Sequence, residues 1–229
     1  MILNEIVEYI RENRVSTTEV ADALGKTGHL AGPLPLTEGL HKVGPIRCLF
    51  VSGKSNFELH QGAREVNPGE VVVVFSEKTE NLAILGELVS RYLLLYRKAE
   101  AVVVCGLVRD APVILRERYA VWATGVTPIG MFNQPSTSFP RSKAEEIRAK
   151  FEGGIAICDD SGVVLIERQK VSQSLTGELE EIEMMEDVWH FCLDTLKWDT
   201  KRIVCDRDYE TEPSVVALFK SNQKTNGKN

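Results

Sequence analysis

The chain has 229 residues, of which 43% are hydrophobic and 26% are charged, a composition typical of a soluble globular protein. The net charge of −6 disfavours binding to nucleic acid through a general basic surface. No apolar run approaches the roughly 20 residues needed to span a bilayer. The amphipathic, mixed-charge N-terminus is not typical of a signal peptide. We therefore expect a cytoplasmic protein with no membrane partner.

Two helices are predicted at the N-terminus. Apolar residues of Ile2–Asn13 recur on one helical face. Ser16-Thr17-Thr18-Glu19 has the pattern of a capping box, which starts a second helix that ends at Gly25. After an irregular loop, the chain predicts strands at Gly44–Ser52 and Glu70–Ser76, with a short helical segment at Asn56–Glu65 between them.

The central region predicts a mixture of helices and buried strands. A helix is expected at Leu85–Arg97, a strand at Ala101–Cys105 and a further strand at Tyr119–Thr124. A short helix is expected after Arg109-Asp110. The segment Phe132–Arg141, which contains two prolines, is expected to be a loop.

The C-terminal third predicts a hairpin and a long helix. Strands at Gly154–Asp159 and Gly162–Glu167 flank an Asp-Asp-Ser-Gly turn signal. An apolar stripe predicts a helix at Val171–Leu196, and the polar tail after Lys220 is expected to be disordered. We therefore divide the chain into an α/β domain (1–170), a helical extension (171–220) and a tail (221–229).

The five cysteines indicate a reducing compartment. They are odd in number, scattered along the chain and without C-x-x-C spacing. Cys48, Cys105 and Cys158 fall in apolar, strand-like runs, where a reduced thiol behaves as a small hydrophobe. A structural zinc site is therefore not expected.

The stretch from Gly86 to Asp110 contains the residues that are most informative about function. An ionised Asp110 beside Arg109 suits a hard cation such as Mg²⁺, and Arg109 can bind a substrate carboxylate through two hydrogen bonds. Glu87 adds a second carboxylate, and the amides of Gly86, Glu87, Leu88 and Val89 can bind a further anionic oxygen at a helix start. The alternative is that Arg109 and Asp110 form a surface ion pair that caps a helix. None of the four histidines has metal-ligand spacing, although His60 falls near the predicted site.

Several segments resemble one known family: VSTTEVADAL at Val15–Leu24, HKVGPIR at His41–Arg47, PGEVVVV at Pro68–Val74, GELV at Gly86–Val89, VVVCGLVRD at Val102–Asp110, TGVTPIG at Thr124–Gly130 and CDDSGVVLI at Cys158–Ile166. The chain is similar over these segments to the family named for the regulator of ribonuclease activity A. This family includes the class II 4-hydroxy-4-methyl-2-oxoglutarate/4-carboxy-4-hydroxy-2-oxoadipate aldolases. The resemblance implies an αββα sandwich of the swivelling type, assembled as a homotrimer or hexamer with sites between subunits.

The resemblance also implies roles for individual residues. Asp110 corresponds to the family's metal-binding aspartate, and Arg109 to the arginine that contacts substrate and polarises the pyruvate oxygen. Glu87 takes the place of an aspartate that reaches the metal through water. Three departures stand out. Position 87 is Glu rather than Asp, and it is one residue further from Arg109 than in the aldolases. Cys105 stands where relatives commonly have Asp or Asn. No residue beyond Glu167 could be matched to the acidic residue that a neighbouring subunit contributes in the aldolases.

The resemblance, together with the Arg109-Asp110 pattern, implies a carbon–carbon lyase that depends on Mg²⁺ or Mn²⁺ and cleaves or decarboxylates small pyruvate-derived 2-oxo acids. The alternative is a non-catalytic regulator that binds a ribonuclease assembly, as the family's namesake does. A methyltransferase is disfavoured because no glycine-rich methyl-donor loop follows the first strand.

Overall fold

The computed structural model describes residues 2–136 and 138–216. Within these ranges the α-helices are α1 (Ile2–Asn13), α2 (Thr17–Ala23), α3 (Phe57–Gly62), α4 (Glu87–Arg91), α5 (Ala111–Arg116), α6 (Arg141–Phe151) and α7 (Gln173–Asp194). The strands are β1 (Leu34–Pro35), β2 (Lys42–Ser52), β3 (Val71–Glu77), β4 (Ala83–Leu85), β5 (Ala101–Val108), β6 (Val121–Val126), β7 (Ile155–Asp159) and β8 (Gly162–Ile166). The predicted α/β class is confirmed.

The strands hydrogen-bond in the order β1-β6-β5-β3-β2-β7-β8, and β4 pairs with β5 outside this path. The pairs β6-β5, β5-β3 and β3-β2 are parallel, as is β4-β5. The long strand β2 belongs to two arrangements, since Lys42–Pro45 pairs antiparallel with β7 and Ile46–Ser52 pairs parallel with β3. The hairpin β7–β8 is thereby joined to the parallel strands.

Both faces of the parallel strands are buried, which explains why their sequences are almost continuously apolar. Val72 and Val74 of β3 belong to a core that includes Leu59 of α3 and Ile114 of α5. The alternate residues of the same strand face a second core formed with the hairpin and α6, which includes Val73, Trp122, Ala144, Cys158 and Leu165. Since side chains alternate along a strand, one valine run supplies both cores.

The N-terminal helices cover the hairpin. Helix α1 contacts β2, and α2 contacts β7 and β8. The predicted capping box at Ser16 and Glu19 is present, and Thr17 donates hydrogen bonds to Asp159 from its backbone N–H (2.8 Å) and its hydroxyl (2.7 Å). The layers are therefore helix, hairpin sheet, parallel sheet and helix, as the resemblance implied.

The structure corrects the predicted elements in three places. The expected irregular loop before β2 contains the two-residue strand β1, which is held by antiparallel pairing with β6. The expected helix at Leu85–Arg97 begins only at Glu87, because Leu85 is the last residue of the buried strand β4, which pairs with β5, and Gly86 separates this strand from the helix. From Tyr92 to Tyr96 this helix continues as a wider π-helical turn. Helix α6 was not predicted; only Ala144 of it is buried, so its sequence lacks the apolar periodicity that signals a helix.

The described chain divides into two compact units between Thr176 and Gly177. The second unit has its own small apolar core, formed by Val188, Cys192, Ile203, Tyr209 and Val215. The predicted long helix is confirmed as α7, whereas the predicted disordered tail lies outside the described residues. No helix among the described residues is long and apolar enough to cross a membrane.

Candidate active site

The candidate site lies where two parallel strands end side by side. Leu85 at the end of β4 is paired with Val108 at the end of β5, and the Arg109 N–H donates to the Leu85 carbonyl at 3.0 Å. This register places Gly86 directly beside Arg109 and Asp110. The carboxyl ends of parallel strands are the usual position of ligand sites in α/β proteins, because loops from several strands converge there.

Asp110 turns its carboxylate back toward the start of α4. Its backbone has a φ of 61°, in the left-handed region that aspartate tolerates better than most residues. In this conformation Oδ2 accepts a hydrogen bond from the Glu87 N–H at 3.0 Å. Oδ1 has no protein donor among the described residues, so it is available to a ligand or cation.

Arg109 presents a guanidinium group with free donors. Its Nε lies 3.6 Å from Asp110 Oδ2, and the side chain is 50% exposed. Within the described part of the chain, the guanidinium has no other acceptor. An arginine held at one edge by a carboxylate and open at the other is suited to binding a second anionic group.

Gly86 and Gly130 make space for the side chains of Arg109 and Asp110. A Cβ at Gly86 would collide with Asp110 Oδ2 and lie 2.7 Å from Arg109 Cγ. A Cβ at Gly130 would collide with Arg109 Nη1 and lie 3.0 Å from its Cζ. The Gly86 backbone is extended, with a φ of −139°. Position 86 therefore requires glycine because a larger residue would collide with Arg109 and Asp110, and not because of its backbone conformation.

A pocket of about 100 Å³ opens beside the pair. It is lined by residues from four segments of the chain: Asn56, His60, Ala83, Leu85, Gly86, Leu88, Val89, Arg109, Asp110, Gly130, Met131 and Asn133. The segment that carries Gly130 reaches the site because it pairs with β4, through a hydrogen bond of 3.2 Å from Met131 N–H to the Ala83 carbonyl. The same segment holds α3, since the Asn56 N–H donates to the Phe132 carbonyl at 3.1 Å.

Asn56 is the buried polar residue of this pocket. The residue is 6% exposed, and its Nδ2 donates a hydrogen bond to the Ile84 carbonyl at 2.8 Å. Its Oδ1 is buried and has no hydrogen-bond partner in the described structure. A buried acceptor without a donor is rare in native proteins and calls for an explanation.

The remaining predicted site residues are placed as follows. The Glu87 carboxylate lies 3.6 Å from Arg91 Nη1 on its own helix and does not line the pocket; only its backbone N–H reaches Asp110. Leu88 and Val89 line the pocket, and their N–H groups lie in the first turn of α4, where no helical carbonyl precedes them. His60 also lines the pocket and is exposed.

Cys105 lies in β5 below the site and does not line the pocket. Burial raises the pKa of its thiol to about 11, so it is protonated at neutral pH. The Ser76 hydroxyl donates a hydrogen bond to the backbone carbonyl of Cys105. Cys105 therefore supplies neither a charge nor a nucleophile at this position.

The possible metal ligands at this site suit a divalent cation that keeps most of its water ligands better than one that is coordinated entirely by protein side chains. Among the described residues, no group of three or more His, Cys, Asp or Glu side chains could hold a metal. One carboxylate oxygen of Asp110 is free, and Mg²⁺ commonly binds one or two carboxylates while it keeps several waters. A single chain therefore offers one direct ligand, with the rest of the coordination sphere left to water and substrate.

Sequence reasoning missed Asn56, Gly130, Met131 and Asn133. Asn56 lies at the start of the short helix α3, far from Arg109 in sequence, and a polar residue at a helix start is common for reasons of capping. Gly130 lies in a loop rich in turn residues, where glycine carries little information. No local pattern marks either residue as part of the site.

Solved structures share this fold. RraAS2 from Streptomyces coelicolor, described as an unusual member of the RNase ES inhibitor RraA protein family, is 25% identical with a TM-score of 0.64, and the match covers 80% of this chain and 94% of that one. An uncharacterized protein from Pseudomonas syringae is 18% identical with a TM-score of 0.65, over 81% and 86% of the two chains. The RNA-processing inhibitor RraA from Thermus thermophilis is 19% identical with a TM-score of 0.52, over 66% and 92%.

The sequence itself matches the RraA-like family, described as Aldolase/RraA, over residues 17–165. The matched range includes the two strand ends, both glycines and the Arg109-Asp110 pair. The chain belongs to the RraA-like family.

Proposed function

We propose that this protein is a divalent-metal-dependent lyase that cleaves or decarboxylates small pyruvate-derived 2-oxo acids. The observation that carries the proposal is the pairing of Arg109 with Asp110 at the edge of a pocket. The arginine keeps free donors, the aspartate keeps one free oxygen, and two glycines make room for both. Asp110 makes no side-chain capping bond to α5, and its bond to the Glu87 N–H at the start of α4 uses only Oδ2. A pair that only caps a helix would leave Oδ1 and the free donors of Arg109 without a role at the pocket.

The chain's own groups would bind the 2-oxo acid at two points. The first-turn N–H groups of Leu88 and Val89 can hold the substrate carboxylate at the start of α4. Arg109 can donate to the 2-oxo oxygen, where negative charge develops when the carbon–carbon bond breaks and the electron pair moves toward that oxygen. A donor fixed in position before the reaction stabilises this charge without reorganisation.

Asp110 would hold the divalent cation, Mg²⁺ or Mn²⁺, through its free Oδ1. When bound, such a cation acts as a Lewis acid that polarises the 2-oxo group. The Glu87 N–H keeps the carboxylate oriented by its bond to Oδ2. Glu87 contributes this amide directly, and its carboxylate would reach the cation only through water after leaving Arg91.

A pyruvate-release assay tests the proposal. Oxaloacetate and a panel of 4-hydroxy-2-oxo acids would be supplied with Mg²⁺, with Mn²⁺ and with a chelator. We expect turnover that requires the cation. The absence of pyruvate release from every substrate with either cation would refute the lyase assignment.

Two variants test the residue roles. Asp110→Asn should abolish metal-dependent turnover and weaken Mn²⁺ binding measured by calorimetry, because the carboxamide has no negative charge; unchanged Mn²⁺ affinity would contradict the metal role.

Arg109→Ala should lower kcat/KM by an amount equivalent to about 2–4 kcal/mol, the usual cost of removing a key electrostatic contact. Arg116→Ala is the matched control, since the Arg116 side chain is 70% exposed on α5 and, among the described residues, forms an ion pair only with Glu117. A loss of activity in the control as large as in Arg109→Ala would show that the effect is not specific to the site.

The second candidate is a non-catalytic regulator of a ribonuclease. It is favoured by the structural match at 25% identity to a member of the RNase ES inhibitor RraA protein family. A pull-down with this chain that recovers a ribonuclease, together with no Mn²⁺ binding by calorimetry, would support the regulator and count against the lyase.

The proposal includes a homotrimer or hexamer in the cytoplasm. Large apolar side chains are exposed near the pocket, with Leu88 at 74%, Ile129 at 60% and Phe132 at 68%, and a second subunit would cover them. The five cysteines are free, as expected for a reducing compartment. Light scattering after size-exclusion chromatography tests the assembly, and a monomeric mass would contradict it.

A further inference from the structure

His60 is the pocket residue to which the proposed chemistry gives no role. It lies on α3, one helical turn after Asn56, and its N–H donates to the Asn56 carbonyl at 3.2 Å. Residues four apart lie on the same face of a helix, and both of these residues line the pocket, whereas the neighbouring Leu59 is buried in the core. The face of α3 that carries His60 is therefore the face toward the pocket.

The His60 side chain is accessible and has no partner within the described structure. The residue is exposed, so an occupant of the pocket can reach it from the solvent side. Its ring makes no hydrogen bond, ion pair or ring contact with any described residue. Histidine is the side chain that most often takes and releases protons near neutral pH, and an unpartnered ring keeps both nitrogens available for this.

No other described side chain of the pocket can carry a proton in both directions. The Arg109 guanidinium stays protonated in proteins. The Asp110 carboxylate accepts from the Glu87 N–H and, in the proposed function, holds the cation. The Glu87 carboxylate lies beside Arg91 and does not line the pocket. The remaining lining side chains are amides or apolar groups, and neither kind takes up a proton near neutral pH.

Retro-aldol cleavage requires a proton to move from one atom of the substrate to another. When the C3–C4 bond of a 4-hydroxy-2-oxo acid breaks, the C4 hydroxyl loses its proton and becomes the oxygen of a carbonyl product. The electron pair of the broken bond passes to the enolate of pyruvate, whose oxygen Arg109 stabilises. C3 of this enolate then takes up a proton to give pyruvate. Since the proton lost at the start equals the proton gained at the end, one group can serve both steps.

We propose that His60 is the proton-transfer residue of this reaction. Its neutral imidazole takes the proton from the C4 hydroxyl, and the resulting imidazolium returns a proton to C3 of the enolate. This inference rests on the proposed lyase function and goes beyond it, because it assigns the proton to a named side chain. Loss of carbon dioxide from oxaloacetate needs no such base, since no hydroxyl has to be deprotonated. The two reactions therefore depend on His60 to different degrees.

The test compares the two reactions in wild-type protein, His60→Ala and His60→Gln, with Mg²⁺ throughout. For the 4-hydroxy-2-oxo acid that the wild type cleaves fastest, kcat/KM should fall about 100-fold or more in both variants, the usual contribution of a positioned acid–base group. For oxaloacetate it should fall by less than about tenfold, because the bond-breaking step needs no base. Glutamine keeps a polar side chain but cannot take up the proton, so a loss common to both variants reflects proton transfer and not lost space.

Two further readouts would not respond to a purely structural role. Added imidazole should restore part of the aldol activity of His60→Ala, because the truncated side chain leaves space for the free base. It should not raise the activity of the wild type. In D₂O, deuterium should enter the methyl group of pyruvate in the presence of wild-type protein and Mg²⁺, as followed by NMR, and this exchange should be lost in His60→Ala because the same imidazole exchanges protons with C3.

His29→Ala is the matched control. His29 is also exposed, but it lies beside β8, where it forms a bridge with Val164, and it does not line the pocket. Its replacement should change neither reaction, and imidazole should have no effect on it. Urea unfolding of each variant checks the fold. Because His60 is exposed and has no partner among the described residues, both of its variants should unfold close to the wild-type midpoint.

Each remaining outcome decides the inference. A His60→Ala protein that cleaves the aldol substrate as fast as the wild type overturns it and leaves the proposed function intact. Equal losses of both reactions without rescue by imidazole also overturn it, because they indicate a role in binding. If only the aldol reaction is lost and imidazole does not rescue it, retained deuterium exchange overturns the inference and lost exchange supports it.

The wild-type protein separates failure of the inference from failure of the function. Wild-type protein that decarboxylates oxaloacetate but cleaves no 4-hydroxy-2-oxo acid overturns the inference alone, since no C4 proton is then moved. Wild-type protein that turns over neither substrate overturns the proposed function and the inference together.

Discussion

Replacement of Gly86 by alanine should separate activity from stability. The new Cβ would collide with Asp110 Oδ2 and would lie 2.7 Å from Arg109 Cγ and 3.1 Å from its Nε. Real Cβ atoms do not approach other atoms this closely, so both side chains must move. The backbone itself is extended and accepts alanine without strain, because its φ is −139°.

The magnitudes follow from where the displaced groups can go. The side chains of Arg109 and Asp110 are 50% and 43% exposed, so each can swing into solvent at little cost. The free energy of unfolding should therefore change by less than about 1 kcal/mol. The geometry of the site should shift by about 1 Å, a misplacement that can cost about 100-fold in rate, or roughly 2.7 kcal/mol of transition-state stabilisation.

The assay is metal-dependent pyruvate release, with urea unfolding of the same preparations. Gly177→Ala is the control, because among the described residues its added Cβ would meet nothing within 4 Å beyond its own stretch of helix, and alanine is favoured inside α7. Gly130→Ala should reproduce the loss of activity, since its Cβ would collide with Arg109 Nη1. A Gly86→Ala protein as active as wild type would refute the reasoning, as would a large loss of stability without a loss of rate.

Two further predictions concern ionisable groups away from the pocket. Burial raises the pKa of Glu70, but hydrogen bonds from Arg47 and Asn67 outweigh it, so the pKa lies below the usual value. A depressed folded pKa contributes stability above the unfolded pKa of about 4.3, and this contribution is lost as the pH falls through the folded value. Glu70→Gln should therefore lower the free energy of unfolding, measured with urea at pH 7, by about 1–3 kcal/mol. The difference in this free energy between the variant and the wild type should shrink below about pH 4. An equal difference at every pH would argue against the ion pair. Burial also raises the pKa of the Cys105 thiol, to about 11, and those of Cys48 and Cys158, whereas Cys205 is exposed. Iodoacetamide at pH 8 should label Cys205 first, the half-buried Cys105 more slowly because its thiol stays protonated, and Cys48 and Cys158 only after unfolding, as measured by mass spectrometry. Labelling of Cys105 as fast as that of Cys205 in the folded protein would contradict its raised pKa.

Elements with a strong local signal were predictable from the sequence. Helix α1 was predicted with the observed bounds, because its apolar face repeats over three turns. The capping box at Ser16 formed as expected, since both of its hydrogen bonds join residues three apart. The valine run of β3 predicted a buried strand, because a short run of β-branched residues after an Asn-Pro-Gly turn is typical of a strand covered on both faces.

Elements that depend on distant partners were not predictable in the same way. Strand β4 has three residues, too few to show periodicity, and its pairing with β5 holds it in place. Without that pairing the same residues continue the helical pattern of α4. The sequence around Leu85 therefore predicts a helix, although Leu85 ends a strand.

The sequence determined that Arg109 and Asp110 follow a buried strand and that a glycine precedes an acidic residue some twenty positions earlier. Only the tertiary structure decided which atoms meet. The register between β4 and β5 brings Asp110 to the Glu87 amide, while the Glu87 carboxylate lies beside Arg91. Asn56 and Gly130 join the site through backbone pairing between segments far apart in the chain. Such contacts depend on strand register and on the packing of the whole sheet, which no local pattern of residues encodes.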